Sequence, residues 1–413
     1  MHKSKQRKNP VNASLTTITA TATILGIILM IPSLFVAGTG EQGGINAYGQ
    51  ITPPSQLQEQ QGGGQAITLN GAGATFPFPL IDTWRVEYQS VNPSVSINYQ
   101  SIGSGGGVRQ FTERTVDFGA SDAPLTEEEM QALASTPVHI PETIGSVVAA
   151  YNLPGIDKGL KLTGPVLADI FAGKITRWDD QRIRELNPGL SIPSAEIITV
   201  HRSDGSGTTF IWTSYLLQVS PEWNQTVGAG KSVQWTVGLG AQGNEGVSNT
   251  ILSTPNSIGY VELTYALTTD MDYASLMNRE GNFVEPTVDS TQAAAQAAII
   301  MNNTDTPGNN TSASAVSLPG GDQSWTHVSL LDAPGADSYP IASFSYLLLY
   351  KELSTNIDSM EKAQALAQFV SWAITDGQQF ASSLHYVPLP ESVVQHNQQT
   401  LSSLTFNGQP VLQ

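Results

Sequence analysis

The chain reads as an α/β protein with mostly parallel sheet, and three observations predict this. From Ala66 onward, short β-prone runs alternate with segments that carry helix start and stop signals. Two runs, Ser146–Tyr151 and Glu196–Val200, are almost continuously apolar or β-branched, as strands buried on both faces tend to be. Four turns rich in Gly, Ser and Thr each follow a predicted strand. With 413 residues, the chain is long enough for two domains.

The first 38 residues stand apart. Lys3, Lys5, Arg7 and Lys8 precede Thr17–Gly38, an apolar or weakly polar stretch containing Ile24-Leu25-Gly26-Ile27-Ile28-Leu29-Met30. A basic start running into such a stretch is an export signal or a single N-terminal anchor. The span has about the 20 residues a bilayer crossing needs, and the charge on its N-terminal side puts the rest of the chain outside the cytoplasm. Residues 39–65 are rich in Gly and Gln, contain Pro53-Pro54 and have no hydrophobic period, as a flexible tether would.

Ile67-Thr68-Leu69 is a short strand running into Gly71-Ala72-Gly73. Pro77 and Pro79 open a helix with Leu80, Ile81, Trp84 and Tyr88 on one face. Val95, Ile97 and Tyr99 alternate as a strand that ends at Gly103–Gly107, and Val116–Ala120 is a further strand. Thr126, with Glu129 three residues on, is a capping box. Thr163 to Gly173 frames another helix. Residues 301–322 break the pattern. They are polar and low in complexity, and read as a surface insertion with N-x-S/T sequons at Asn302, Asn309 and Asn310; a further sequon stands at Asn224.

Composition excludes several kinds of function. The formal net charge is −17, and without the four basic residues at the start it is −21, from 14 basic and 35 acidic residues. So acidic a body is a poor partner for nucleic acid, which is bound through basic stripes. There is no cysteine, which excludes disulfides, thiol catalysis and Cys-ligated zinc. The six His, at 2, 139, 201, 327, 385 and 396, lack metal-site spacing. Neither a metal nor a cofactor is expected.

The chemistry therefore rests on the turns Gly73-Ala74-Thr75-Phe76, Gly103-Ser104-Gly105, Ala120-Ser121-Asp122 and Asp204-Gly205-Ser206-Gly207-Thr208. In parallel α/β sheets ligands sit at the carboxyl ends of strands, where the following helices aim free N–H groups and the positive end of their dipoles. Glycine allows close backbone approach and Ser or Thr adds a hydroxyl, so the four turns together suit a small anion. The alternatives are weaker. Gly71-x-Gly73 starts a dinucleotide fingerprint, but Phe76 stands where its third glycine belongs. Gly205-Ser206-Gly207 near His201 is not the G-x-S-x-G of a hydrolase. Arg202 ends the Ile197–Val200 strand, and its planar fork suits two oxygens of a tetrahedral anion. Asp122 would repel an anion unless the ligand brings a proton. Hydrogen phosphate has one to donate and sulfate does not, and an uncompensated buried charge costs on the order of 3–5 kcal/mol. Asp122 could also serve as a helix cap before Pro124.

With these residues in view, the chain resembles the phosphate-binding proteins of high-affinity ABC phosphate importers from about Leu69 to its C-terminus. The motifs are GAGATFPFPL at 71–80, NYQSIGSGGGVRQF at 98–111, TVDFGASDAPL at 115–125, GKITRWDD at 173–180, HRSDGSGTTFIWTSYL at 201–216 and SIGYVE at 257–262. The resemblance implies a two-lobed type II periplasmic-binding-protein fold with the ligand cleft between the lobes. It places lobe I at 66–145 plus 338–413 and lobe II at 146–337. It assigns phosphate to Thr75, Phe76 (through its N–H), Ser104, Asp122, Arg202, Ser206, Gly207 (through its N–H) and Thr208, with Asp204 holding Arg202. His201, where a second basic residue is often seen, the 301–322 insertion and the Cys-free N-terminus depart from the family pattern. The expected function is binding of inorganic phosphate outside the cytoplasm and delivery to an ABC permease, without catalysis. The protein would be a monomer in the periplasm, on the cell surface or at the outer face of the cytoplasmic membrane. Another protonated oxyanion such as arsenate, or a phosphatase using Ser206 or Thr208, are the alternatives.

Overall fold

The computed structural model describes residues 66–299 and 318–412. The segments 1–38 and 39–65 and the sequons at Asn302, Asn309 and Asn310 lie outside them, whereas Asn224 is exposed. The start of the described chain follows the predicted order: β1 (Ile67–Gly73), α1 (Phe78–Val91), β2 (Val95–Ser101), α2 (Ser104–Thr112), β3 (Phe118–Ser121) and α3 (Glu127–Ala132). In α1, Leu80, Ile81, Trp84 and Tyr88 are the buried residues, on the face that their spacing predicts. Trp84 Nε1 donates to the Gly377 carbonyl at 2.8 Å, which gives the buried indole its one required partner. Thr126 and Glu129 form the predicted capping box on α3.

Next come β4 (Pro137–Asn152), α4 (Gly164–Phe171), β5 (Ile198–Arg202), α5 (Gly207–Val219), β6 (Leu239–Ala241), α6 (Gly243–Ser253), β7 (Ser257–Glu262), α7 (Leu263–Thr268), β8 (Asp272–Tyr273) and β9 (Ala342–Tyr350). These strands join in one nine-stranded sheet of order β2-β1-β3-β9-β4-β7-β5-β6, with β8 also paired to β4. Both outer parts are parallel: β1 pairs with β2 and β3, and β5 with β6 and β7.

The centre of the sheet corrects the prediction of mostly parallel strands. The Ser146–Tyr151 run belongs to β4, which is antiparallel to β9, β7 and β8. Fifteen of its 16 residues are buried. Burial on both faces makes a strand apolar whatever the direction of its neighbours, so composition could not reveal this one's direction. β4 also changes partner along its length. Pro137–Ser146 pairs with β9, and Val147–Asn152 pairs with β7. One strand thereby runs from the half of the sheet that holds β1–β3 into the half that holds β5–β7. The last predicted strand is offset: Glu196–Val200 becomes Ile198–Arg202, which brings Arg202 onto its final position.

At residues 318–322 the chain is tied to the sheet. The Gly321 carbonyl accepts from His139 N at 2.8 Å, and Asp322 pairs with Lys351 at 2.8 Å.

Candidate functional site

The four predicted turns converge, and a fifth joins them. Thr75 and Phe76 follow β1, and the chain after β2 turns at Gly103 into the N-terminus of α2 at Ser104. Asp122 follows β3. Arg202 ends β5, and Ser206 caps α5. The fifth turn is the N-terminus of α6, where Gly243 precedes the fully buried Asn244.

Contact across this cluster depends on two glycines. A Cβ on Gly207 would lie 2.5 Å from both Ser104 Oγ and Asp122 Oδ2, so only glycine lets the start of α5 approach them. Gly103 has φ +83°, and a Cβ there would collide with the Asp204 carboxylate. With these side chains absent, Gly207 N donates to Ser104 Oγ at 3.0 Å and Gly105 N donates to the Gly205 carbonyl at 2.8 Å. Backbone from the β2 turn thus meets backbone from the β5 turn.

On the β5 side the groups are mostly donors. Arg202 is 3% exposed and grips Asp204 with two hydrogen bonds, Nε 2.7 Å from Oδ1 and Nη2 2.5 Å from Oδ2. Burial works to raise the Asp204 pKa, but the Arg202 hydrogen bonds and charge, with the Gly243 N–H at 3.1 Å, hold it below the usual carboxylate range. Arg202 Nη1 reaches Thr208 Oγ1 at 3.2 Å. Asn244 Nδ2 donates to Thr75 Oγ1 at 2.8 Å and approaches Thr208 Oγ1 at 3.3 Å, while its Oδ1 accepts from Glu262 N. Ser206 Oγ accepts from Thr209 N at 3.0 Å, capping the helix. Arg202 and the N-terminus of α5, at the positive end of its dipole, make this the donor side of the cluster.

On the β3 side the groups are mostly acids. Asp122 is 1% exposed, and burial pushes its carboxyl up to about 7 against the pull of Ser345, Arg202 and Ser104. Ser104 Oγ accepts from Asp122 N at 3.2 Å and lies 3.4 Å from its Oδ2. Asp122 caps no helix, because Thr126 holds that place on α3. Two further carboxyls stand behind it, Glu142 on β4 and Glu262 at the end of β7. Both are fully buried and both are pushed up by that burial, Glu142 to about 8. Glu262 caps α7 through Thr264 N at 2.9 Å and meets Tyr386 Oη at 3.2 Å. The same hydroxyl donates to the Phe76 carbonyl at 2.6 Å.

Of the residues named from the sequence, Thr75, Arg202, Asp204 and Thr208 are hydrogen-bonded together through Asn244, and Ser104, Asp122 and Gly207 form a second hydrogen-bonded set, the two adjoining at the Gly207–Thr208 peptide. Phe76 and Ser206 adjoin them. Asn244, Tyr265, Glu142, Glu262 and Ser345 were not named. Tyr265 Oη donates to the Thr75 carbonyl at 2.6 Å and so fixes that turn. Asn244 had a signal: Gly240, Gly243 and Gly246 make a glycine-rich turn after a strand, like the four turns that were named. Among the described residues, no group of three or more His, Cys, Asp or Glu could hold a metal ion.

A family model of the PBP superfamily domain matches residues 57–376. Phosphate-binding protein PstS of Xylella fastidiosa (strain 9a5c) is 41% identical over 352 residues, covering 85% of this chain and 88% of that protein. Its counterpart in Pasteurella multocida (strain Pm70) is 44% identical over 332 residues, covering 80% of this chain and 89% of that protein. Among solved structures, a phosphate-binding protein from Stenotrophomonas maltophilia aligns with a TM-score of 0.59 at 19% identity, over 82% of this chain and 99% of that one. At that identity the likeness is one of fold, and it agrees with the two-lobed architecture the sequence implied.

Proposed function

This chain belongs to the PstS family of phosphate-binding proteins, and we propose that it captures inorganic phosphate outside the cytoplasm and delivers it to the permease of an ABC importer. The observation that carries this reading is a single buried carboxyl, Asp122, facing a wall of donors. Arg202 and the N–H groups of Phe76 and Gly207 would hold the anion's oxygens, with the hydroxyls of Thr75, Ser104, Ser206 and Thr208. Asp122 would accept the proton that hydrogen phosphate carries and sulfate lacks. Arsenate, protonated in the same way, would compete.

The lobes follow the sheet. Lobe I would comprise 66–145 and 338–413, and lobe II 146–337. The change of partner on β4 at Ser146–Val147 supports the first boundary, and the start of β9 at Ala342 lies near the last. Thr75, Ser104 and Asp122 then stand on one lobe and Arg202–Thr208 on the other. An anion bridging them would favour the closed state over the open one, which is the differential affinity that closure requires. The segment 1–38, as signal or anchor, would keep this domain outside the cytoplasm, tethered through 39–65 if it stays attached. A phosphatase reading gains nothing from the geometry. The Ser206 hydroxyl caps α5, and the His201 ring stacks on Trp235 at 4.8 Å.

Calorimetric titration of the protein, stripped of bound anion, tests the proposal. One-to-one phosphate binding with negligible heat from sulfate is expected. Failure of a folded, ligand-free sample to bind phosphate would overturn it.

A further inference from the structure

The buried Glu142 stands behind Asp122 and hydrogen-bonds none of the groups proposed to hold the anion. β4 and β9 pair in register at Ser345 and Thr143 and again at Tyr346 and Pro141, so Glu142 is the extra residue of a β-bulge. Bulges re-aim side chains, and this one turns Glu142 toward the back of Asp122. The backbone carbonyl of Glu142 is satisfied by Gln378 Nε2 at 3.0 Å. Its side chain meets Ser345 Oγ at 3.0 Å, and that hydroxyl lies 2.8 Å from Asp122 Oδ1. The other carboxyl oxygen, Oε2, is buried and without a hydrogen-bond partner.

Counting protons makes this arrangement informative. A serine hydroxyl has one hydrogen to donate. Placed within hydrogen-bond distance of two carboxyls, it can donate to one and must accept from the other, so one carboxyl has to bring a proton. Asp122 has Arg202 and Ser104 to support a charge, and Glu142 has only the shared serine. An ionised Glu142 would also leave a charged oxygen buried and unpartnered, which is far more costly than a neutral carbonyl oxygen in the same place.

We propose that Glu142 is a positioning residue for phosphate recognition: it holds a proton that it donates to Ser345, which turns the serine hydroxyl toward Asp122 and keeps Asp122 ionised as the acceptor of the ligand's proton. This deepens the phosphate reading and rests on it. Burial of Glu142 and the nearby Asp122 charge favour the neutral form, with loss of the proton at about pH 8. The other titratable groups around the pair are Tyr99, Tyr346, Tyr386 and Glu262, all held neutral by burial, and Arg202 beyond Asp122. Between about pH 7, where Asp122 loses its proton, and about pH 8 the relay is intact, and below that window Asp122 is protonated as well. Above it Glu142 ionises, Ser345 divides its one hydrogen between two anions, and a second negative charge stands behind Asp122.

The test is phosphate calorimetry from about pH 6 to about pH 9.5 on the wild type, Glu142→Gln and Glu142→Ala. Phosphate's own ionisation is common to all three. Wild-type affinity is expected to fall by up to about tenfold per pH unit above pH 8. The Gln variant keeps a donor toward Ser345 but has no proton to lose, so its profile stays flat there. The Ala variant, with no donor, binds about tenfold more weakly than Gln at pH 7. A Gln profile that falls in parallel with wild type, or an Ala variant equal to Gln, overturns the proposal. Infrared spectra at pH 7 decide independently of ligand. Wild type should show a protonated-carboxyl band that Glu142→Gln loses, and an unchanged band overturns the proposal. If wild type bound no phosphate at any pH, the receptor reading would fall while the infrared result still decided the protonation of Glu142.

Discussion

The two sides of the site are built from opposite materials. The β5 side offers a guanidinium locked by its own carboxylate, a helix start and an amide, and it has one ionised acid, Asp204, already neutralised by Arg202. The β3 side offers one short hydroxyl in front and two buried carboxyls, Asp122 and Glu142, in and behind it, and a third buried carboxyl, Glu262, ends β7 on the other half of the sheet. Donors attract any small oxyanion, because every oxygen of phosphate or sulfate is an acceptor. Only the acid side could distinguish a protonated anion from an unprotonated one, and on the proposed reading it would do so mainly by repulsion. The contrast implies a division of labour, with strength of binding supplied by one side and choice of ligand by the other.

The largest expected effect tests the donor side. Arg202→Ala removes a charged donor and leaves Asp204 with its strongest partner gone. Truncating one member of a buried, hydrogen-bonded charge pair costs roughly 2–5 kcal/mol. Phosphate affinity should fall by that amount, and any residual sulfate affinity should fall with it, so that the ratio of the two hardly moves. Calorimetry with both anions checks this, alongside thermal unfolding to confirm that the variant folds. A change in the ratio as large as the change in phosphate affinity would break the division.

Asp122→Asn tests the other side and should do the reverse. The amide can donate to an unprotonated oxygen, so sulfate gains where the carboxylate had repelled it. Repulsion of about 3–5 kcal/mol is at stake, and the phosphate-over-sulfate preference should shrink by roughly a hundredfold or more. Equal affinities in mutant and wild type for both anions would remove Asp122 from ligand choice.

The same contrast explains how far the site could be read from the sequence. The donor side is built from contiguous turns, because a helix N-terminus after a strand advertises itself by its glycines and caps. Arg202, Asp204, Ser206, Gly207 and Thr208 lie within seven positions of one another, and even Asn244, which was missed, sits in a turn of the same kind. The acid side is assembled by the fold. Glu142 stands in the run Pro137–Asn152, where nothing local distinguishes a buried acid from an edge residue. Its partner Ser345 is 203 positions away, and a bulge decides that the two meet. Fold class was legible because alternation of strands and helices is a local pattern. The antiparallel centre was not, because β4 and β9 are far apart in sequence and equally apolar in either direction.

The smallest expected effect sharpens the comparison because it concerns neither side alone. Lys231 joins the two. Its backbone carbonyl accepts from Ser206 N at 2.8 Å, and its ammonium lies 2.5 and 2.6 Å from the two carboxylate oxygens of Glu129 on α3. The ion pair therefore fastens the β5 turn to the element that follows Asp122, and it exists only while the two sides are together. Lys231→Met keeps most of the apolar stem and removes the charge. The pair is partly exposed, with side-chain exposures of 15% and 27%, so its worth is at most about 1 kcal/mol and is screened by salt. Phosphate affinity should drop by no more than about fivefold at low ionic strength, and the difference from wild type should fade at about 1 M salt. If the contact stabilises the proposed closure without touching the anion, phosphate and sulfate are expected to be weakened by the same factor. If Lys231→Met shifted the preference between them instead, selection would not be confined to the acid side. The ion pair would then have to be counted among the groups that choose the ligand.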